Sequence, residues 1–424
     1  MIKYIFPLVI LLLLGSCQSK TITNSEDYNK FLAQTKSTTE LTDELNFWDD
    51  KLKASPEQHP YLLKRASAHN SIFDQTGKIE HLINAEKDLV EASEHTQHNN
   101  AGYLRALASN YISQHRFKEA LELLKKAEIN GENLKGTKKM LFDAHMELGN
   151  YLLAKTYLDE IKSSRDFDYL IRLAKWEDHN GNLEQAIVYM EQAMEITESS
   201  NIKANKIWAY TNLADFYGHD GQIEKSYNYY LKALELDPKN AYAKKGIAWI
   251  VYSYERNPNE ALKLMSHIKS YYSAPDYDLL IADIAEFKGD LDLKSKALED
   301  YRLKVDNPLY GDMYNKYNVL MYTDAELNLD EALAISKKEV NNRPTPESYD
   351  LLAWSLFKSG ETKKALEVAE QNIIGKTSEP DALYHLAEIL KQNGKRDEVS
   401  PLKEELLEAI YELGPTMESK INTL

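Results

Sequence analysis

The feature that most constrains this chain is an internal period. Segments beginning at Ala101, Lys135, Phe167, Ile207, Ala241, Pro275, Met313, Pro346 and Pro380 follow one another at spacings of 34, 32, 40, 34, 34, 38, 33 and 34 residues. A weaker copy precedes them, with Ala85 and Ala92 in register with the second half of the later copies. Within a copy the apolar residues keep helical spacing. Leu107, Ala108 and Tyr111 fall at i, i+1 and i+4, and so do Leu213, Ala214 and Tyr217. A second stripe follows in each, such as Ala120, Leu124 and Ala127. Gly149, Gly181, Gly221, Gly289, Gly360 and Gly394 separate the stripes, where a sharp helix-to-helix turn calls for φ > 0. A two-helix unit of this size cannot bury its apolar face alone, so it must stack on its neighbours. Twelve Pro and 16 Gly are also few for a turn-rich β protein. The expectation is an all-α array.

The large residues, the small residues at Ala108 and Ala120 and the late Pro238 resemble the tetratricopeptide repeat. The resemblance covers residues 59–413 and implies a right-handed superhelix of about ten helical hairpins. The copies from Ala241 and Pro275 lack the small residue in register, and the last has Val399 there, so those units are expected to be looser. In this family ligand contacts come from the first helix of each unit, on the concave side. Carried over position by position, the groove holds Arg105, Lys139, Arg172 and Lys175 in the earlier units. Later units supply Trp208, Asn212, Trp249, Tyr252, Tyr314, Tyr317, Asn318, Trp354 and Phe357. Sixteen of the 28 Tyr also lie between Tyr210 and Tyr322. Aromatic residues and Arg dominate binding hot spots. The expected ligand is a peptide with an acidic part near the cations and apolar anchors on the aromatics.

Composition removes other classes. An apolar content of 43% is enough for a core, which argues against a disordered chain. A net charge of −16 argues against nucleic acid as partner, because phosphates need neutralising by Lys and Arg. One Cys excludes a disulfide framework and a multi-Cys zinc site. Gly375-Lys376-Thr377 is like the end of a phosphate-binding loop, but Glu370 stands where that loop needs Gly. The His residues and paired acids show no metal or catalytic spacing. No cofactor, no metal and no enzymatic activity are expected.

The N-terminus carries an address. Lys3 precedes an apolar run from Ile5 to Leu14, too short to span a bilayer. The run closes as Leu14-Gly15-Ser16-Cys17, which resembles a bacterial lipobox, and Cys17 is the chain's one Cys. That resemblance implies a signal peptide over 1–16 and lipidation of Cys17, with Gln18 favouring the outer membrane. Residues 17–40 then read as a flexible tether, 41–58 as a capping helix and 414–424 as a tail. Leu41, Leu45, Trp48 and Leu52 supply the helical stripe of the cap. Together the two resemblances imply a lipid-anchored, non-catalytic adaptor that binds envelope proteins or peptides at the outer membrane. The alternative is a glycan-binding lipoprotein of a polysaccharide-uptake system, which would also use exposed aromatics.

Overall fold

A computed structural model describes residues 21–33 and 39–424, and every regular element among them is helical. The signal segment 1–16, Cys17 and the start of the expected tether lie outside the described residues. Ten hairpins follow one another, at 60–95, 101–130, 134–160, 167–200, 203–236, 241–269, 276–305, 315–342, 346–372 and 380–408, numbered 1 to 10 below. The helix starts are set by short polar caps. Asn100, Asp166 and Thr345 accept from the backbone N–H of Tyr103, Tyr169 and Ser348. Each hairpin turn contains one residue in the left-handed region. In seven hairpins it is Gly, as at Gly77 and Gly149, and in the other three it is His115, Arg256 or Leu327.

Close helix approach follows from small side chains. Ala108, Ala120, Ala186, Ala214, Ala233, Ala353 and Ala365 are all completely buried. Hairpin 6 is not loose, contrary to expectation. Its first helix, Ala241–Trp249, continues into a π turn at Ile250–Tyr254, and Ile247, Ile250, Val251 and Tyr252 fill the interior at 0% exposure. The π turn adds one residue, so the Ala absent from the expected register stands one place later as Ala261, at 0% exposure. In the last unit Val399 is likewise buried.

The array winds back onto itself. Ser273 donates to Thr76 O through its backbone N and its Oγ, at 2.8 and 2.9 Å, across 197 residues of chain. Arg343 reaches Glu147 at 2.8 Å across 196 residues and lies over the Phe117 ring at 5.0 Å. Lys118 Nζ donates to Asn341 O at 2.8 Å. A Cβ on Gly77 would meet Ala274, and one on Gly149 would meet Pro344 O. The hairpin turns of the first winding therefore rest on the linkers of the second, a little under six hairpins later.

Two boundaries differ from expectation. Residues 21–33 are not free tether. Helix α1 (Ser25–Leu32) buries Tyr28 and Phe31 against hairpins 5 and 6. Glu255 accepts from the backbone N–H of Ile22 and Thr23 at 2.8 and 2.6 Å, and Tyr28 OH donates to Glu260 at 2.9 Å. Two aromatics three apart were enough to dock a segment whose composition is otherwise polar. At the other end, 414–424 is not a loose tail, because helix α24 (Met417–Asn422) buries Ile421 completely. Helix α2 (Thr39–Ala54) lies against hairpin 1, with Trp48 against Tyr61 and Asp49 paired to Arg65 at 2.9 Å.

Candidate binding chamber inside the superhelix

The four cations expected to line the groove are tied to neighbouring units. Arg105 donates to Glu132 O and Thr137 Oγ1 at 2.8 and 3.1 Å. Lys139 bridges Asp166 and Asp168 at 3.0 and 2.7 Å. Arg172 donates to the carbonyls of Lys139 and Asp168 and pairs with Asp143 at 2.5 Å. Lys175 holds Glu147 at 2.8 Å. Burial pushes the Asp166 carboxyl up, but the ammoniums of Lys135 and Lys139 outweigh it and hold the group at about 2. These cations act as struts from one hairpin to the next.

The aromatic positions divide. Tyr252 and Trp354 are buried and belong to the core, with Trp354 stacked on His385 at 4.1 Å between ring centroids and on Phe357 at 5.2 Å. Tyr314 packs edge-on against Tyr310, which in turn meets Ile79 and Leu82 of hairpin 1. Asn318 accepts from Tyr301 OH at 2.7 Å, and Asn212 donates to Trp208 O at 2.8 Å. Trp208 is exposed, with its ring edge-on to Phe167, away from the residues described next. Trp249 and Tyr317 do converge.

They line a cavity of about 400 Å³ on the inner face of hairpins 5 to 8, closed on one side by hairpin 10 and by a short helix, α23 (Ile410–Leu413). Its walls are aromatic and acidic. Tyr230, Tyr242, Trp249, Tyr317 and Tyr411 supply rings, and Asp215, Asp276, Asp283, Glu379, Asp381 and Glu412 supply carboxylates. A second cavity of about 690 Å³ shares His219, Glu379, Pro380 and Glu412 with it and runs on between hairpins 3 and 4 of the first winding and 9 and 10 of the second.

The polar groups are ordered in two classes. Some are committed. Tyr230 OH and Tyr242 OH both donate to Asp215, the latter at 2.7 Å. Lys245 pairs with Asp276 at 3.2 Å and lies over the Tyr277 ring at 4.8 Å. His219 Nδ1 meets Glu412 at 3.1 Å. Burial pushes the Asp215 carboxyl up against the two phenols that favour its charge. Burial pulls His219 down, but Glu412, with Asp215 and Asp178 behind it, outweighs this and raises the imidazole. Others are open. Asp283, Glu379 and Asp381 have no cation within ion-pair distance among the described residues. Asp283 keeps a face to the water of the cavity yet is walled by protein. That enclosure, with Glu286 nearby, pushes its carboxyl up to about 7. Glu379 is pushed up by the same cause.

The chamber therefore offers negative charge beside aromatic faces, and of the four expected groove cations Lys175 lines the second cavity. Several of its members escaped sequence reasoning. Gly246 is one. A Cβ there would stand 2.2 Å from Tyr230 Cζ, so the missing side chain is what lets Tyr230 lie against the next helix. Its helical position looks like any interior residue, and no local signal marks it. The carboxylates come from hairpins 5, 7 and 10, from the linker before hairpin 10 and from α23, and only the winding brings them together.

The tetratricopeptide repeat model matches residues 209–240, within hairpin 5 and the linker after it. No curated protein matches the chain. Among solved structures, the chain is similar to a Rap protein complexed with competence and sporulation factor, at 14% identity over 66% of this chain and 90% of that one, with a TM-score of 0.45. It is similar to a tetratricopeptide repeat protein from Parabacteroides merdae, at 13% identity over 59% of this chain and 97% of that one, with a TM-score of 0.39. It is also similar to yeast Tom70, at 16% identity over 94% of this chain and 93% of that one, with a TM-score of 0.35. These identities are low, and what those proteins bind does not carry over. One unit thus matches the tetratricopeptide repeat outright, and the same two-helix form is stacked on both sides of it.

Proposed function

We propose that the chain is a non-catalytic adaptor, anchored by lipid on Cys17 at the bacterial outer membrane, that grips a protein partner inside its superhelix. The stacked-hairpin architecture supports an interaction role. The observation that carries the reading is the chamber, where Asp283, Glu379 and Asp381 stand without cations beside Tyr242, Tyr317 and Trp249. Carboxylates next to aromatic faces suit Lys or Arg side chains, by ion pairing and by cation–π contact. The partner segment is accordingly basic where it crosses the chamber.

The test uses the full chain in its native membrane. A photoreactive residue placed at Tyr242 should crosslink a partner, and the same group at exposed Leu407 on the outside of hairpin 10 should not. Asp283→Asn with Asp381→Asn should reduce the Tyr242 product about ten-fold. Equal products from both positions, or a product indifferent to the double variant, would defeat the chamber as the binding site. Competition by soluble glycans would favour the sugar-binding alternative. Cys17→Ser should release the protein from the membrane fraction, and unchanged retention would remove the anchor.

A further inference from the structure

One part of the inner surface is already occupied, and the occupant shows what the surface recognises. After hairpin 10 the chain re-enters the superhelix as α23. The Tyr411 ring lies over Gly218, where a Cβ would come 3.0 Å from its Cε1, so the slot exists because residue 218 has no side chain. The Tyr411 carbonyl accepts from Trp249 Nε1 at 3.0 Å and from Ser253 Oγ at 2.7 Å. Glu412 meets His219 at 3.1 Å. An aromatic slot, two donors for one main-chain carbonyl and an imidazole for a carboxylate make a site with defined geometry.

The occupant is weakly held. No residue of α23 is fully buried, whereas Leu406 before it and Ile421 after it are at 0% exposure. Leu406 and Ile421 fix the flanks in the core of hairpin 10, and Ile410 and Leu413 of the strap pack against the same cluster only in part. Gly414 follows at φ 81 and ψ 157, a conformation open to Gly and not to other residues, and forms a natural hinge. Directed contacts at a few points, only partial burial and a hinge are the properties of a segment that can leave.

We propose that the surface under Tyr411 and Glu412 is the recognition site for a partner segment carrying an aromatic residue followed by an acidic one, and that the strap is an internal stand-in which such a segment displaces. This rests on the adaptor reading above and adds to it the motif that enters first, next to the acidic chamber. His219, Trp249 and Ser253 read the motif, and Gly218 makes room for it. A partner with that motif must outcompete a tethered copy of it, so capture is set against a local concentration that no free peptide matches.

The experiment uses the full chain and a fluorescent peptide with the sequence of residues 409–416. Tyr411→Ala with Glu412→Ala should bind the peptide at least about ten-fold more tightly than the unaltered chain. Replacing the peptide's Tyr by Ala, or Trp249 by Phe in the double variant, should each undo most of that gain. Equal binding by both chains, or a gain indifferent to Trp249→Phe, would overturn the proposal. A second measurement needs no variant. In the unaltered chain the amides of 410–414 should exchange with solvent well before those of 399–406, and uniform protection would overturn it equally. Failure here removes the recognition site and leaves the photocrosslinking result at Tyr242 standing on its own.

Discussion

Leu327 carries the turn of hairpin 8 at φ 55 with its side chain 66% exposed. A non-Gly residue pays about 1–2 kcal/mol for the left-handed region, and this one recovers little by packing. Leu327→Gly should stabilise the fold by about 0.5–1 kcal/mol, the gain being reduced by the freer unfolded chain; a melt followed by circular dichroism measures it. Asp283 offers a pH test. Its carboxyl is protonated up to about 7 in the folded chain and only to its ordinary 3.8 when unfolded. The folded state then binds the extra proton between those values, so stability falls as pH rises through that window and is level above it. Asp283→Asn should abolish this component, leaving the variant more stable than the parent at pH 8 by about 1 kcal/mol once screening by cavity water is allowed for, and little different below pH 4. Parallel denaturant titrations at the two pH values decide the matter. At this scale the sequence was partly legible. Six of the seven turn glycines could be assigned a positive φ from their place between two stripes, and all six have it. His115, Arg256 and Leu327 could not, because nothing in those side chains announces a left-handed turn.

Helices were legible because a packing face repeats every three or four residues, and their partners were not. The starts expected at Ala101, Phe167, Ala241, Pro346 and Pro380 coincide with observed helices. The expected groove cations pair within the array for a physical reason. A Lys or Arg on an inner face meets the carboxylates of a neighbouring hairpin, as Arg172 meets Asp143, and a one-dimensional sequence does not show what stands across that gap. The looser packing expected of hairpin 6 was wrong because the π turn at Ile250–Tyr254 moves the small residue one place along, to Ala261, while Ile247, Ile250 and Val251 fill the interior. The contact of Gly246 with Tyr230 belongs to this scale. Gly246→Ala forces a methyl into the ring and should destabilise the protein by about 2–3 kcal/mol, the cost of an overfilled core. Adding Tyr230→Leu should recover much of the loss, and a double-mutant cycle on denaturation midpoints tests the pairing.

At the scale of the whole molecule, the second winding rests on the first through Arg343, Ser273 and Lys118. Arg343→Ala removes the contacts with Glu147 and Phe117 together. It should cost about 2 kcal/mol, as loss of a partly buried charged bond does. The radius of gyration should rise in small-angle scattering with no change in helical signal, while an unaltered radius would mean that the windings hold without this residue. No periodic pattern reports such contacts, since they join residues 196 to 223 apart whose local sequences are those of ordinary turns. A stacked array whose units touch only their neighbours tolerates the gain or loss of a whole unit, because everything downstream simply shifts along. This chain has surrendered that freedom. Excising or duplicating hairpin 4 or 5 would rotate one coil against the other and bring Thr76 and Glu147 opposite the wrong neighbours. The number of hairpins is thus itself a conserved quantity of the fold, and length variants of this protein should be confined to its two ends.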